Sequence, residues 1–485
     1  MKAKKLKASA KKKALRYGIT VLVMLTALCA LSCRKADTRT PPLIWWMIGT
    51  SQPGFSKDMK VISDYVEEKI NIRLNIKQAG WWEADQRFLT MINAGEYYDI
   101  MFVDGSNYAR FLALNAFADL TGLLPNVAPE LWDYIPEVLW EGVKVKGRIF
   151  SVPTYKDSSR TGFYFWDHRF VEKYGIDLTR SGWAYLDKVF RQIKEGEGNP
   201  RFYPLFLTRH SDTFIFEDYD GLSALLPAIG IRHDDPERRV VNVLEQPDIK
   251  KAFHYFHSWY KDGIINPDAN MVDETPTGLP FFIAQAWPSA AISYAISNEI
   301  GQYDPVHFSG PLYSTSSIQG SMNAISANSR YKNEALLLLQ LINTDKKLRD
   351  MLHMGIEGKH FEYTNNGTTI KRLQTDWPLV NYQQGSYFIQ TPLDSAPPGY
   401  WDEVRSQNEN AFPSVMLGFM LDAEPVFTEL MNCRSVWDKY ASDMTTGAAN
   451  PDLAIPQLIS ELKANGFDKV LEEAQWQVNE YYGKR

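Results

Sequence analysis

Between residues 43 and 103 the hydrophobic period changes at each segment, and that alternation dictates layers of helix on sheet. Residues 43–48 (LIWWMI) form a short apolar run stopped by Gly49-Thr50, as a buried strand would be. Met59, Ile62, Tyr65, Val66 and Ile70 then recur at helical spacing, with Ser56 placed to cap that helix. Residues 71–77 (NIRLNIK) alternate, so Ile72, Leu74 and Ile76 share one face of a second strand. Phe88, Met91 and Ile92 mark another helix, which Gly95 ends. Residues 99–103 (DIMFV) read as a third strand, closed by Asp104-Gly105. Strands alternating with helices imply an α/β fold with mostly parallel sheets flanked by helices. Ligands of such sheets bind beyond the carboxyl ends of strands. Those ends offer Thr50, Asp104 and Ser106 as hydrogen-bonding groups, although the same residues also serve as ordinary turn formers.

The pattern continues down the chain. Residues 143–153 read as a hairpin over Lys146-Gly147, and 161–167 (TGFYFWD) as a strand. Helices are expected at 186–194, 247–262 and 333–343, and a strand over 280–287. The tail reads as helices at 455–465 and 468–482, split at Gly466. No internal repeat or long low-complexity linker interrupts the sequence.

Ahead of this body stand eight Lys/Arg and no acid up to Arg16, then 13 apolar-run residues at 19–31, then Ser32-Cys33. A spanning helix needs about 20 apolar residues. The order of basic, apolar and small-residue regions is that of a secretory signal. It resembles a bacterial lipoprotein signal, with Cys33 as the lipid attachment point and Ala30 where such signals usually carry Leu. This implies a signal peptide at 1–32, a polar tether at 33–42 and an exported body anchored to a membrane. An uncleaved anchor and ordinary secretion are the alternatives. Losing the eight basic residues takes the formal charge from −6 to −14, which argues against a nucleic-acid partner. Of three cysteines only Cys433 lies in the body, so no disulfide forms within it and a large core must supply stability.

Several collinear segments resemble those of bacterial extracellular solute-binding proteins. They are 91–100 (MINAGEYYDI), 109–120 (ARFLALNAFADL), 145–153 (VKGRIFSVP), 163–175 (FYFWDHRFVEKYG) and 259–267 (WYKDGIINP). Segments 320–326, 353–362 and 418–469 are similar to those of the oligosaccharide-type (family 1) lipoproteins with an extra C-terminal domain of unknown function. The resemblance implies a two-lobe periplasmic-binding-protein-like (class II) clamshell that hinges closed on a solute. It also implies delivery of the solute, most simply an oligosaccharide, to an ABC permease. The expected division is 43–153 with 280–317 in the N-terminal lobe, 154–279 with 318–410 in the C-terminal lobe, and 411–485 as a helical extension.

Aromatic faces complement the apolar face of a sugar ring, and polar neighbours read its hydroxyls. Trp81 and Trp82 after Gly80, and Trp287 at a strand end, are the aromatic candidates, with Trp46 as a ligand contact or a core residue. Trp287 also matches a binding-loop position of the maltose-binding branch. Tyr155 falls at the expected crossing between lobes, as contact, hinge or core. Glu357 and His360 sit in the family-marked loop 355–360 (GIEGKH), where they touch ligand or stabilise the lobe. His254 and His257 lack a third ligand nearby and read as ordinary helical residues rather than a metal site. No nucleophile elbow, P-loop or dinucleotide fingerprint is present, so no cofactor is expected. An exported carbohydrate-active enzyme would need a carboxylate pair flanking a bond, which sequence does not exclude. A receptor presenting ligand to a sensor kinase is a further alternative.

Overall fold

Trp45 and Trp46 point to opposite sides of the first strand, β1 (Leu43–Ile48), because strand side chains alternate. Trp45 donates its indole N–H to Asn323 Oδ1 at 2.9 Å, while Trp46 packs edge-on against Phe88 at 6.3 Å. This double burial fixes β1 as the centre of a covered sheet. The computed structural model describes residues 41–223 and 226–483. The signal segment, Cys33 and the tether as far as residue 40 lie outside them. Residues from Leu43 onward pack as one compact unit.

After β1 come α1 (Phe55–Ile70), β2 (Leu74–Ala79), α2 (Ala84–Ala94) and β3 (Ile100–Val103). These follow the periodicity closely, although Gly54, not Ser56, occupies the N-cap of α1. Next are β4 (Ser151–Pro153), β5 (Arg160–Asp167), α3 (Trp183–Glu197), α4 (Pro247–Lys261) and β6 (Phe281–Gln285). Then follow α5 (Ala290–Ser297), β7 (Tyr303–Tyr313), β8 (Met322–Ile325), α6 (Lys332–Thr344), α7 (Lys346–Met354) and α8 (Tyr400–Glu409). The chain ends with β9 (Phe412–Pro413), α9 (Phe427–Thr445), α10 (Pro451–Ala464) and α11 (Phe467–Tyr481).

Two sheets organise two lobes. The N-terminal sheet has the order β2-β1-β3-β8-β4 and the C-terminal sheet β6-β5-β7-β9. Parallel pairing holds for β1 with β2 and β3, but β8 runs antiparallel to both its neighbours. In the C-terminal sheet only the short β7–β9 pair is parallel. The sheets are therefore mixed rather than mostly parallel. Sheet membership also reverses the expected division. Residues 281–313 belong with the C-terminal sheet, and β8 and the helices after it with the N-terminal core. The reason is that β7 is long and pairs with β5 over most of its length, so the chain returns to the first lobe only after Tyr313.

The register shows which edges face each other. Met322, the first residue of β8, pairs with Val103 and with Pro153, the last residues of β3 and β4. The carboxyl ends of β1, β2, β3 and β4 thus share the edge from which the chain crosses to the other lobe. On the C-terminal sheet, Gln285 at the end of β6 pairs with Gly162, and Leu312 pairs with Arg160. That is the opposing edge. Residues 154–159 and 314–321 cross between them and are tied together: Thr154 N donates to Ser321 O and Ser321 Oγ to Thr154 Oγ1, both at 3.0 Å. A third crossing runs through α8, whose Asn408 accepts from Ser159 N at 3.1 Å and donates to Lys156 O at 2.5 Å.

The C-terminal helices are not an appendage. Leu430, Cys433, Leu458, Leu462, Phe467 and Val470 lie in the same buried core as Phe190, Phe256, Trp259 and Phe281. His257 Nδ1 lies 2.9 Å from the Gly447 carbonyl oxygen, and His254 faces Asp452. The extension is part of the C-terminal lobe.

Candidate functional site

The edge of the N-terminal lobe carries the loops after β1, β2 and β3, and five of the expected contacts sit there. Thr50 and Ser106 are exposed. Trp81 is 49% exposed and Trp82 stands fully in solvent. Asp104 is half-buried, and its Oδ1 accepts from Ser106 N at 2.9 Å and from Ser106 Oγ at 2.5 Å. This is an Asx-type turn, so one carboxylate oxygen holds the loop shape.

The opposing surface is different in kind. Trp287 follows β6 directly and its ring meets Tyr400 at 5.5 Å, nearly perpendicular. Tyr400 and Trp401 open α8, and Trp401 packs on Tyr387 at 5.0 Å. The spacing of α8 divides its contacts between the lobes. Tyr400, Glu403 and Gln407, on one face, hold the loop after β6: Glu403 Oε2 accepts from Ser289 N at 2.9 Å, and Gln407 donates to Ala286 O at 3.3 Å. Trp401, Arg405 and Asn408, on another, meet Tyr387, Phe388 and the first crossing.

Between α5, the end of α7 and residues 390–401 lies a cavity of about 190 Å³. Ser289 and Ile292 line it from the C-terminal lobe, His353 and Met354 from the N-terminal lobe, and Tyr400 and Trp401 from α8. Three of these residues carry a buried polar atom with no hydrogen-bond partner: Ser289 Oγ, His353 Nδ1 and Trp401 Nε1. Trp287 Nε1 beside them is a fourth. An unmet buried donor or acceptor costs about 1–3 kcal/mol, and these atoms, each screened from solvent, belong to residues around one inter-lobe cavity. Burial holds His353 well below its ordinary pKa, and Arg349 and Arg372 push the same way, so its imidazole is neutral. Arg349 lies behind the wall. Burial brings its guanidinium down to about 10, and its donors go to Ser386 O, Gln384 Oε1 and Asn381.

Four expected contacts are elsewhere. Trp46 is core, with Arg87 stacked 5.1 Å over its ring. Tyr155 lies at the first crossing but is buried, with Phe388 at 4.5 Å and Tyr134 at 5.9 Å. His360 is buried beside Trp377, and its Nδ1 accepts from Ile356 N at 2.9 Å. Burial, with Lys359 adding, lowers its pKa and keeps it an acceptor. Glu357 is exposed on that loop, which is tied to α1 by the 2.6 Å Lys359–Asp58 pair. None of the loop's members lines the cavity. Ser289, His353, Tyr400 and Trp401, which line the cavity, were not among the expected contacts. The adjacent aromatics of Tyr400-Trp401 after Pro397-Pro398-Gly399 were a signal of the same kind as Trp81-Trp82.

Comparison with known proteins agrees with this architecture. Residues 60–356, more than half of the chain, match the bacterial extracellular solute-binding protein family. The chain belongs to that family. Residues 415–483 match a domain of unknown function. A carbohydrate ABC transporter substrate-binding protein of Streptococcus pneumoniae is 26% identical, over 98% of this chain and 97% of that one. The crystal structure of the N-glycan transport solute binding protein NgtS from Streptococcus pneumoniae, 24% identical, superposes with a TM-score of 0.81 over 91% of this chain and 99% of that one. NgtS in complex with Man1GlcNAc and with Man5GlcNAc gives 0.73 and 0.72. The alginate-binding protein AlgQ2, 14% identical, gives 0.61 over 92% and 99%. These likenesses establish the two-lobe fold. As a member of this solute-binding family the protein is exported. Among the described residues no helix is long and apolar enough to cross a membrane, and no group of three metal-ligating side chains gathers.

Proposed function

We propose that the protein captures an oligosaccharide between its lobes and passes it, chemically unchanged, to an ABC permease, while acyl chains on Cys33 hold it at the membrane. One observation carries the reading: a cavity lined by aromatic, apolar and polar side chains of both lobes lies between them. A sugar presents this combination of apolar ring face and hydroxyl rim. The carbohydrate transport relatives matched along nearly the whole chain support the same class of solute. Three crossings between the lobes permit hinge closure, and the ligand drives it only through interactions that the closed form makes and the open form lacks.

The test is calorimetric titration with a panel of oligosaccharides, followed by mass spectrometry of the bound compound. Micromolar or tighter binding with intact sugar is expected. Cleaved products growing with protein concentration would instead indicate a carbohydrate-active enzyme. Cys33→Ser is expected to yield an unlipidated protein in the soluble fraction, and an acylated mutant would move the anchor elsewhere.

A further inference from the structure

We propose that the C-terminal domain, residues 415–483, braces the back of the hinge and holds the two lobes apart until a solute draws them together. This rests on the hinged-capture reading and gives the domain a part in setting affinity. The first residues of the domain touch both lobes. Met416, Phe419 and Leu421 are buried in the C-terminal core, whereas Leu417 and Met420 between them pack against the N-terminal core. Gly418 sits at a close approach of the two lobes. Its φ of 84° is left-handed, and a Cβ there would stand 3.1 Å from the Glu141 carbonyl oxygen of the N-terminal lobe. Four residues on, Asp422 Oδ2 accepts from Lys146 Nζ at 3.1 Å. The last helix grips both ends of this short segment. Gln477 of α11 accepts from Asp422 N and donates to Asp422 O, both at 2.8 Å, and Tyr481 donates to Gly418 O at 3.2 Å. Thr315, in the second crossing, accepts from Gly418 N at 2.9 Å.

The side on which these contacts fall gives them a direction. Residues 137–149 lead into β4, the edge strand of the N-terminal sheet. The first two crossings leave from β4 and β8, and the loops after β1, β2 and β3 lie on the other side of them. None of the bracing residues lines the inter-lobe cavity. A rotation that brings those loops toward the C-terminal lobe therefore draws Glu141 and Lys146 away from Gly418 and Asp422. Contacts that only the open form makes are lost on closure, and they lower the apparent affinity by the fraction of molecules held open.

The experiment measures the gap between the lobes without solute, so its result does not depend on which sugar binds. Nitroxide labels on Gln86→Cys in α2 and Ser297→Cys in α5, both exposed positions, are placed in the full-length Cys33→Ser protein, where Cys433 is buried. Pulsed electron–electron resonance then gives the distance distribution. Leu417→Ala and, separately, Met420→Ala should raise the ratio of short to long distances about four- to tenfold, the scale of half-burying such a side chain. Lys146→Asn keeps a residue that tolerates the left-handed turn there, and should raise the ratio by up to about fivefold, the upper range for an exposed ion pair. The melting temperature reports that each variant is folded. A distribution unmoved in every folded variant, or shifted to longer distances, overturns the brace. Shortened distances in a protein that binds no oligosaccharide of the panel would leave the brace standing and overturn the capture reading instead.

Discussion

The N-terminal lobe draws its core from residues 43–155 and a return segment at 313–379, whereas the C-terminal lobe needs three stretches, 164–281, the strand at 303–313 and the tail beyond 416. The first is a sheet with a parallel centre and helices supplied by its own crossovers. The second is mainly antiparallel, and its aromatic core (Trp166, Phe190, Trp259, Phe281) is closed by helices from the far end of the chain. A lobe assembled from neighbouring segments is locally specified. A lobe closed by its tail depends on a few close long-range approaches. The facing edges differ likewise: the first carries exposed turns, whereas the second carries Trp287 packed on Tyr400.

The sharpest way to break this comparison is at Gly447. Its φ of 82° is left-handed, and a Cβ there would collide with the Phe256 carbonyl group. Gly447→Ala should destabilise the C-terminal lobe by about 3–5 kcal/mol, through backbone strain and lost packing of α9 on α4. Denaturant unfolding followed by hydrogen exchange should show protection lost in α4 and α9 but kept in β1 to β3. Uniform loss across both lobes would mean that they unfold as one unit.

Asp220 probes the same junction with the opposite sign. Burial raises its pKa to about 6 from 3.8, and the hydrogen bond from Ser414 offsets this only in part. The folded state therefore binds the proton more tightly than the unfolded state. Stability falls as pH rises from about 4 to about 6, and the deficit stays constant above that. Asp220→Asn, uncharged and able to accept from Ser414, should be more stable at pH 7 by an amount on the order of 3 kcal/mol. The gain should vanish near pH 4. Chemical denaturation at the two pH values checks it, and a gain independent of pH would assign the effect to packing.

What sequence disclosed follows the same division. β1, β2, β3, α1 and α2 were legible because apolar period and chain order both point to one local unit. The reversal of 280–317 and 318–410 was not, since which sheet a strand joins depends on partners more than 100 residues away, such as Phe281 with Trp166. Trp287 drew notice in the sequence because strand end and family position coincide, and in the fold it packs on Tyr400. Ser289 and His353 were missed because an unpartnered buried atom is a property of the folded neighbourhood, and neither residue carries a local pattern. His360 shows the converse: it sits in a glycine-flanked polar loop, and its imidazole accepts from Ile356 N.

The two edges themselves can be compared through their tryptophans. Trp287→Ala removes a ring already packed on Tyr400 and should weaken oligosaccharide binding by about 2 kcal/mol, within the range for a packed aromatic anchor. Trp82→Ala should cost less, about 1 kcal/mol, because its fully exposed ring must be ordered by the ligand before it contributes. Titration of both variants with the same sugar gives the difference directly. Equal losses would mean that the N-terminal edge is as well organised in solution as the C-terminal one. A larger loss at Trp82 would move the principal stacking surface to the N-terminal lobe, leaving the α5–α8 cavity as a secondary contact.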